Sequence, residues 1–596
     1  VELTLTGGLP PYLPTALQIS FMLHRLLSRR TASNCFARVL TAPLVSAGLF
    51  CANALGAHAL GAQASPSHTG AARAGLDVLH YEFRVDFPAR PFPDTIWFVA
   101  TTTALRSAPL TALALDLTAS LHVDSTVVNG ARTPFTRPGD SVRVALPLGT
   151  RDTVRVAVYY HGFPADGLIT RRDSVQGWTA FGDNFPDRAR QWLATVDHPS
   201  DKALVDWIVR APATHRVIAN GQLIEEVTEP GPIATRLVRT HWRTRRPIYT
   251  AVMVLGVAPF AVRELGNTAC GLAELPGCVS QSVWTSPAQR AAIGTDTPPG
   301  AFAQAADIVA FFSQLVAPFP YEKLAHVASS TRYGGMENAG AIFYADALFK
   351  PGSPNESLIA HETAHQWFGD AVTEGEWPHV WLSEGFATYF AALYAEHAHG
   401  DSALRREMAG IRTKLLASSI TTEKAVVDTT LDDLRRVLNT NVYEKAGFTL
   451  HVLRREIGDS AFFCGIRAYY LAHRHGNALT GDLQQAFETT SGRSLDWFFA
   501  QWLRRPGYAD VTARYAWQAS TKRLMLTVTQ GTRVPPYRLS LAIDVTDQTG
   551  VTKHTRVMVP AAKTSTLAIP VTLSAAPRVV VLDADVSILG YIKLVP

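Results

Sequence analysis

His361-Glu362-Thr363-Ala364-His365, followed by Glu384 after eighteen intervening residues, restricts this chain more than any other stretch. On a helix the two histidines fall at i and i+4, so both imidazoles leave one face a turn apart. That spacing can hold two sides of a tetrahedral zinc site. Glu362, next to the first histidine, is placed to act on a water rather than on the metal. Zinc brings the pKa of a water toward neutrality, where a carboxylate can take its proton. A third ligand has to come from elsewhere. Glu384 supplies it if the chain turns back into a second, antiparallel helix, and residues 381–390 read as one.

A bare H-E-x-x-H also occurs by chance, but its neighbours argue against chance here. Gln366-Trp367-Phe368-Gly369 follows directly. Upstream lies Gly334-Gly335-Met336-Glu337-Asn338, with Glu337 24 positions before His361. These blocks, together with Trp381-Leu382-Ser383-Glu384-Gly385, resemble those of the M1 zinc aminopeptidases, the gluzincin group that includes aminopeptidase N and leukotriene A4 hydrolase. Weaker similarity runs from about residue 76 to the C-terminus. The resemblance implies one zinc ion per chain on His361, His365 and Glu384, with Glu362 as general base. It implies that Glu337 binds the free α-amine of a peptide substrate. Gly334, Gly335 and Met336 would shape the backbone wall beside the scissile bond, and Asn338 completes this substrate-binding block.

Val442-Tyr443-Glu444-Lys445-Ala446-Gly447 resembles the family's Y-x-K-G segment, whose tyrosine stabilises the oxyanion, and that role carries to Tyr443. Ala446 stands at the family's glycine position. A larger departure concerns the amine. Family members present a Glu or Gln from the N-terminal domain as a second amine ligand, whereas this chain reads Phe181-Gly182-Asp183-Asn184-Phe185-Pro186. Asn184 or Asp183 can accept a hydrogen bond from an ammonium group. Alternatively, Glu337 reads the N-terminus alone.

A length of 596 residues is too great for one core. The hydrophobic content of 47% and charged content of 18% are those of a globular protein. The net charge of +5 is modest, and no basic stripe with interleaved aromatics points to nucleic acid. Residues 1–75 read as a targeting segment and linker. From Met22, Arg25, Arg29, Arg30 and Arg38 precede an uncharged run over 39–57. Ala57-His58-Ala59 and Ala62-Gln63-Ala64 are cleavage candidates, so the protein is expected to be exported, periplasmic or secreted. The alternative is an uncleaved membrane anchor, since the apolar run approaches spanning length. Cys270 and Cys278 flank a short loop and can form a disulfide in an oxidising compartment. Cys464, in an apolar helix pattern, reads as a buried free thiol.

The fold expected is multidomain α+β. Residues 76–262 alternate as strands: Tyr81, Phe83, Val85 and Phe87 share a face, as do Val154, Val156, Val158 and Tyr160. They resemble the family's saddle-shaped N-terminal sheet. Residues 263–507 turn helical, with a short strand region over 324–343, and the resemblance implies a thermolysin-like domain. Residues 508–596 alternate again and predict a small C-terminal β-sandwich, with Leu539, Leu541, Ile543 and Val545 on one face. The functional expectation is an exported zinc aminopeptidase acting on peptides. A zinc endopeptidase, or another hydrolase with the same centre, is the alternative within enzymes. A silent binding scaffold is disfavoured by the intact ligands, base and tyrosine. Side-chain preference and oligomeric state are not legible.

Overall fold

The structure is a computed structural model and describes residues 75–88, 92–147, 152–173, 177–268, 279–292, 302–349 and 356–595. The expected export segment and the Cys270–Cys278 loop lie outside the described residues. The protein is multidomain, with a β-rich N-terminal part, a helical catalytic region and C-terminal β-sheets.

In the N-terminal part, alternation along each strand decides which face is buried. The first strand, Leu76–Asp86, runs antiparallel to Ile96–Arg106 and parallel to Lys202–Pro212. These three lie inside a nine-stranded sheet. Tyr81, Phe83 and Val85, with Phe87 just beyond, point into the core, as do Val154, Val156, Val158 and Tyr160 from the strand Thr153–Gly162. The inward aromatics stack: Phe98 lies 5.0 Å from Tyr160, and Trp192 lies 5.7 Å from Trp207.

The catalytic region opens with a five-stranded sheet rather than the short strand region expected. Ala261–Thr268 and Val279–Thr285 precede Lys323–Ser329, Ala341–Ala345 and Gly335–Met336 in spatial order. The first of these strands has mostly half-exposed or exposed residues, which hides it from a search for apolar runs. Gly335–Met336 ends the sheet, pairing only with Ala341–Ala345 among the described residues. The helix Glu356–His365 packs beside this edge, and Trp381–His399 packs against that helix.

The C-terminal part is two sheets of four and three strands. Leu539, Leu541, Ile543 and Val545 are buried from one, and Leu524, Leu526 and Val528 from the other. Gln501 joins it to the catalytic region, exchanging two hydrogen bonds with the Arg538 backbone. Cys464 corrects its sequence reading: it is disulfide-bonded rather than a free thiol. The other four cysteines lie outside the described residues.

Candidate active site

The helix Glu356–His365 carries few apolar residues on its cleft face, yet Ile359, Ala360 and Ala364 bury its other side. That anchorage turns His361, Glu362 and His365 toward the helix Trp381–His399, whose first turn holds Glu384. The two Nε2 atoms stand 3.1 Å apart. Glu384 Oε2 lies 3.4 Å from His361 Nε2 and 3.3 Å from His365 Nε2. Zinc bonds of about 2.0–2.1 Å in a tetrahedron put ligand atoms about 3.3–3.4 Å apart. Glu384 Oε2 is also buried without a hydrogen-bond partner. The three residues therefore fit a zinc ion. Burial alone would raise the Glu384 carboxyl, but His365 and His361 hold it down at about 2, so it stands ionised as a ligand should.

The imidazole orientations are fixed from behind. Phe368 O lies 3.1 Å and Ser383 Oγ 2.9 Å from His365 Nδ1. A proton held on Nδ1 leaves Nε2 as the lone-pair atom. Gly369 is part of this support: at φ 121°, its added Cβ would meet Ser383 Oγ at 2.3 Å. Neither Ser383 nor Gly369 was singled out from the sequence, although both sit inside the motifs that were.

Glu362 lies against the sheet edge. Burial drives its carboxyl well above the usual range, with Glu337 and Glu384 adding to the rise and His365 opposing it. The strand segment carrying Glu337 is tied to the same helix by Gln366. Its Nε2 donates to Glu337 O at 2.8 Å, and its Oε1 accepts from Gly340 N at 2.8 Å. Carboxylate oxygens of Glu337 and Glu362 and a ring nitrogen of His365 all lie within 4.8 Å of one another.

Tyr443 sits in a π-helical turn, Asn441–Lys445, that leads into the helix Ala446–Ile457. Asn441 holds the turn through bonds from Nδ2 to Lys424 O at 2.9 Å and Ile420 O at 3.2 Å. The Tyr443 ring stacks 6.0 Å from His361. Burial, then Glu384 and Glu337, raise its phenol well above 10, so it keeps its proton. Ala446 is accommodated because its neighbour is a glycine: a Cβ on Gly385 would lie 2.6 Å from the Ala446 Cβ.

These groups surround one cavity of about 500 Å³, lined also by Gly334, Gly335, Met336, Phe185, Tyr333, Leu358 and Leu438. Two expected substrate contacts are absent from that lining. Asn184 donates from Nδ2 to Thr250 O at 3.0 Å and Met253 O at 2.6 Å, and its Oδ1 accepts from Trp192 Nε1 at 2.7 Å. Both of its N–H donors are spent and its oxygen is engaged, so it holds the fold rather than an amine. Asn338 is fully buried behind the strand. Asp183 fares no better as an amine acceptor, since it pairs with Arg188 at 2.8 Å and Arg332 at 3.4 Å. The N-terminal part instead presents Phe185 to the cleft.

Residues 301–502 match the peptidase family M1 domain. The chain is 28% identical over 340 residues to a probable aminopeptidase 2 of Sulfurisphaera tokodaii, covering 54% of this chain and 41% of that protein. It is 28% identical over 430 residues to aminopeptidase N of Streptomyces lividans, covering 66% and 46%. It thus spans less than half the length of these curated relatives. An M1 zinc metallopeptidase from Deinococcus radiodurans superposes with a TM-score of 0.61 at 27% identity, over 72% of this chain and 93% of that one. The zinc-fitting triad thus lies inside a segment of this chain, residues 301–502, that is a peptidase family M1 domain.

Proposed function

We propose that the protein is a zinc-dependent aminopeptidase that removes N-terminal residues from peptides. One observation carries this reading: the Glu337 carboxylate lies within 4.8 Å of His365 and Glu362. An α-amine is separated from its own residue's carbonyl carbon by a single Cα. A carboxylate so close to the centre can grip an amine only when the bond being cut is the first. Bound on His361, His365 and Glu384, zinc would supply a Lewis acid for the scissile carbonyl and would acidify water. Glu362 takes the proton from the attacking water and returns it to the leaving amine. Tyr443 donates a hydrogen bond to the oxygen that gains charge. The peptide backbone adds as a strand along Gly335–Met336, which fits sequence-tolerant binding.

A second reading, endopeptidase, is favoured by the same inward turn of Asn184 that leaves Glu337 as the amine acceptor. Aminoacyl fluorogenic substrates and their N-acetylated forms, with and without chelator, separate the two. The aminopeptidase reading expects chelator-sensitive cleavage of free-amine substrates only. Equal rates on acetylated substrates would favour the endopeptidase. Glu337→Ala should lose at least roughly tenfold in kcat/KM on free amines, the lower end of a charge-assisted bond.

Export to the periplasm or medium is part of this proposal. It is supported by the basic-apolar-small pattern of residues 22–64 and by a disulfide at Cys464, which suits an oxidising compartment. N-terminal sequencing of protein from its native host should find a start between Leu60 and Ser67. An intact Met22 start in a membrane fraction would indicate an anchor instead.

A further inference from the structure

On the outer face of the nine-stranded sheet, far along the chain from the catalytic motifs, two histidines stand side by side. His122 is the register partner of His161 across the antiparallel strands His122–Val128 and Thr153–Gly162. Val123 and Thr126 face the core, as do Val158 and Tyr160, so alternation sends His122, Asp124 and His161 outward together. A β-bulge between Val123 and Ser125 falls at Asp124, a device that commonly re-aims a side chain. Asp124 Oδ2 lies 3.0 Å from His161 Nδ1, and Oδ1 lies 3.6 Å from His122 Nε2. The imidazole rings are 5.1 Å apart.

We propose that His122, Asp124 and His161 bind a divalent transition-metal ion of the zinc or copper class at a site separate from the catalytic centre. Two imidazoles and one carboxylate are a donor set for such ions. Asp124 Oδ2 already lies 3.0 Å from His161 Nδ1, close to the edge of about 3.3 Å that a tetrahedral ion requires, whereas His122 faces the other oxygen at 3.6 Å and must turn for the three donors to converge. His122, with 71% of its side chain exposed, has the freedom to turn its ring onto the ion. Charge distinguishes this cluster from its neighbour. Asp206 also bonds two histidines, His80 and His241, but Arg243 Nε lies 2.7 Å from its Oδ1 and would repel a cation. Among the described residues Asp124 pairs with no lysine or arginine.

The test uses zinc-loaded, active protein dialysed against low-micromolar Zn²⁺. Wild type should retain one more zinc per chain than a His122→Asn/His161→Asn double variant, at the same peptidase rate. Equal zinc contents would overturn the proposal. Cu²⁺ added to the zinc-loaded wild type should give an electron paramagnetic resonance spectrum split by two imidazole nitrogens. The single exposed change His122→Asn should weaken this binding at least roughly tenfold, the scale seen when support for a metal is lost. A copper signal unchanged in His122→Asn would place the ion elsewhere and refute the assignment.

Discussion

Gly335 leaves no room for a side chain beside Glu362: a Cβ on Gly335 would lie 2.3 Å from Glu362 Oε1 and 2.4 Å from its Cδ. The strand Gly335–Met336 thus runs close against the Glu362 carboxylate, the proposed general base. Gly335→Ala should push the carboxylate off the water it deprotonates. A displacement of about 1 Å in a catalytic group costs about a hundredfold. The expected result is a kcat lower by roughly that factor, with zinc content and circular dichroism unchanged. Near-normal kcat in this variant would mean that Glu362 has room to retreat.

His365→Ala removes a ligand and should abolish zinc retention, measured by elemental analysis. Glu362→Gln should keep the zinc and lose turnover, because an amide cannot accept the water's proton. The pair of measurements separates holding the metal from moving the proton. Wild-type zinc content in His365→Ala would remove the triad assignment.

Tyr443→Phe should lower kcat by roughly 10²–10³, the scale of one lost oxyanion donor. KM should stay near wild type, since the bond strengthens only as charge develops. Steady-state kinetics on one free-amine substrate decides it. Full activity would show that another donor holds the oxyanion.

Lys202, on a strand of the N-terminal sheet, donates from Nζ to Asp370 O at 2.9 Å and Ala371 O at 3.0 Å, just past the histidine helix. Lys202→Met keeps the stem and deletes the donor. Asp370 O still accepts from Thr373 Oγ1 and Ala371 O from His475 N, so the variant loses only the charged donor's bonds, worth about 1.5–3 kcal/mol. Denaturant melts should show a loss of that size. An unchanged midpoint would mean that water replaces the ammonium at both carbonyls.

The triad was legible because helical periodicity is local. The i, i+4 spacing of His361 and His365 sets their geometry within a single element, and only Glu384 needed a guess about chain reversal. Glu337 and Tyr443 were found through motifs rather than periodicity, since their nearness to the centre depends on long-range packing. The inward hydrogen bonds of Asn184 are illegible for the same reason. Its partners Thr250 and Met253 lie 66 and 69 residues away, and no local pattern announces them. The strand Ala261–Thr268 escaped notice because its exposed residues blur the alternation that a buried strand would show. The disulfide at Cys464 is hidden in the sequence because its apolar surroundings alone suggest an inert thiol.

The fit of Gly385 against Ala446 has a consequence for how this centre can change. Gly385 follows Glu384 directly, and Ala446 comes three residues after Tyr443. Their contact sets how closely the segments carrying Glu384 and Tyr443 approach, and neither residue lines the cleft. A bulkier side chain at either place would wedge the two helices apart, and metal affinity and turnover would fall together. The spacing of Glu384 and Tyr443 is therefore set from behind the cavity, whereas Phe185 and Tyr333 line it without touching that contact and can be exchanged independently of it.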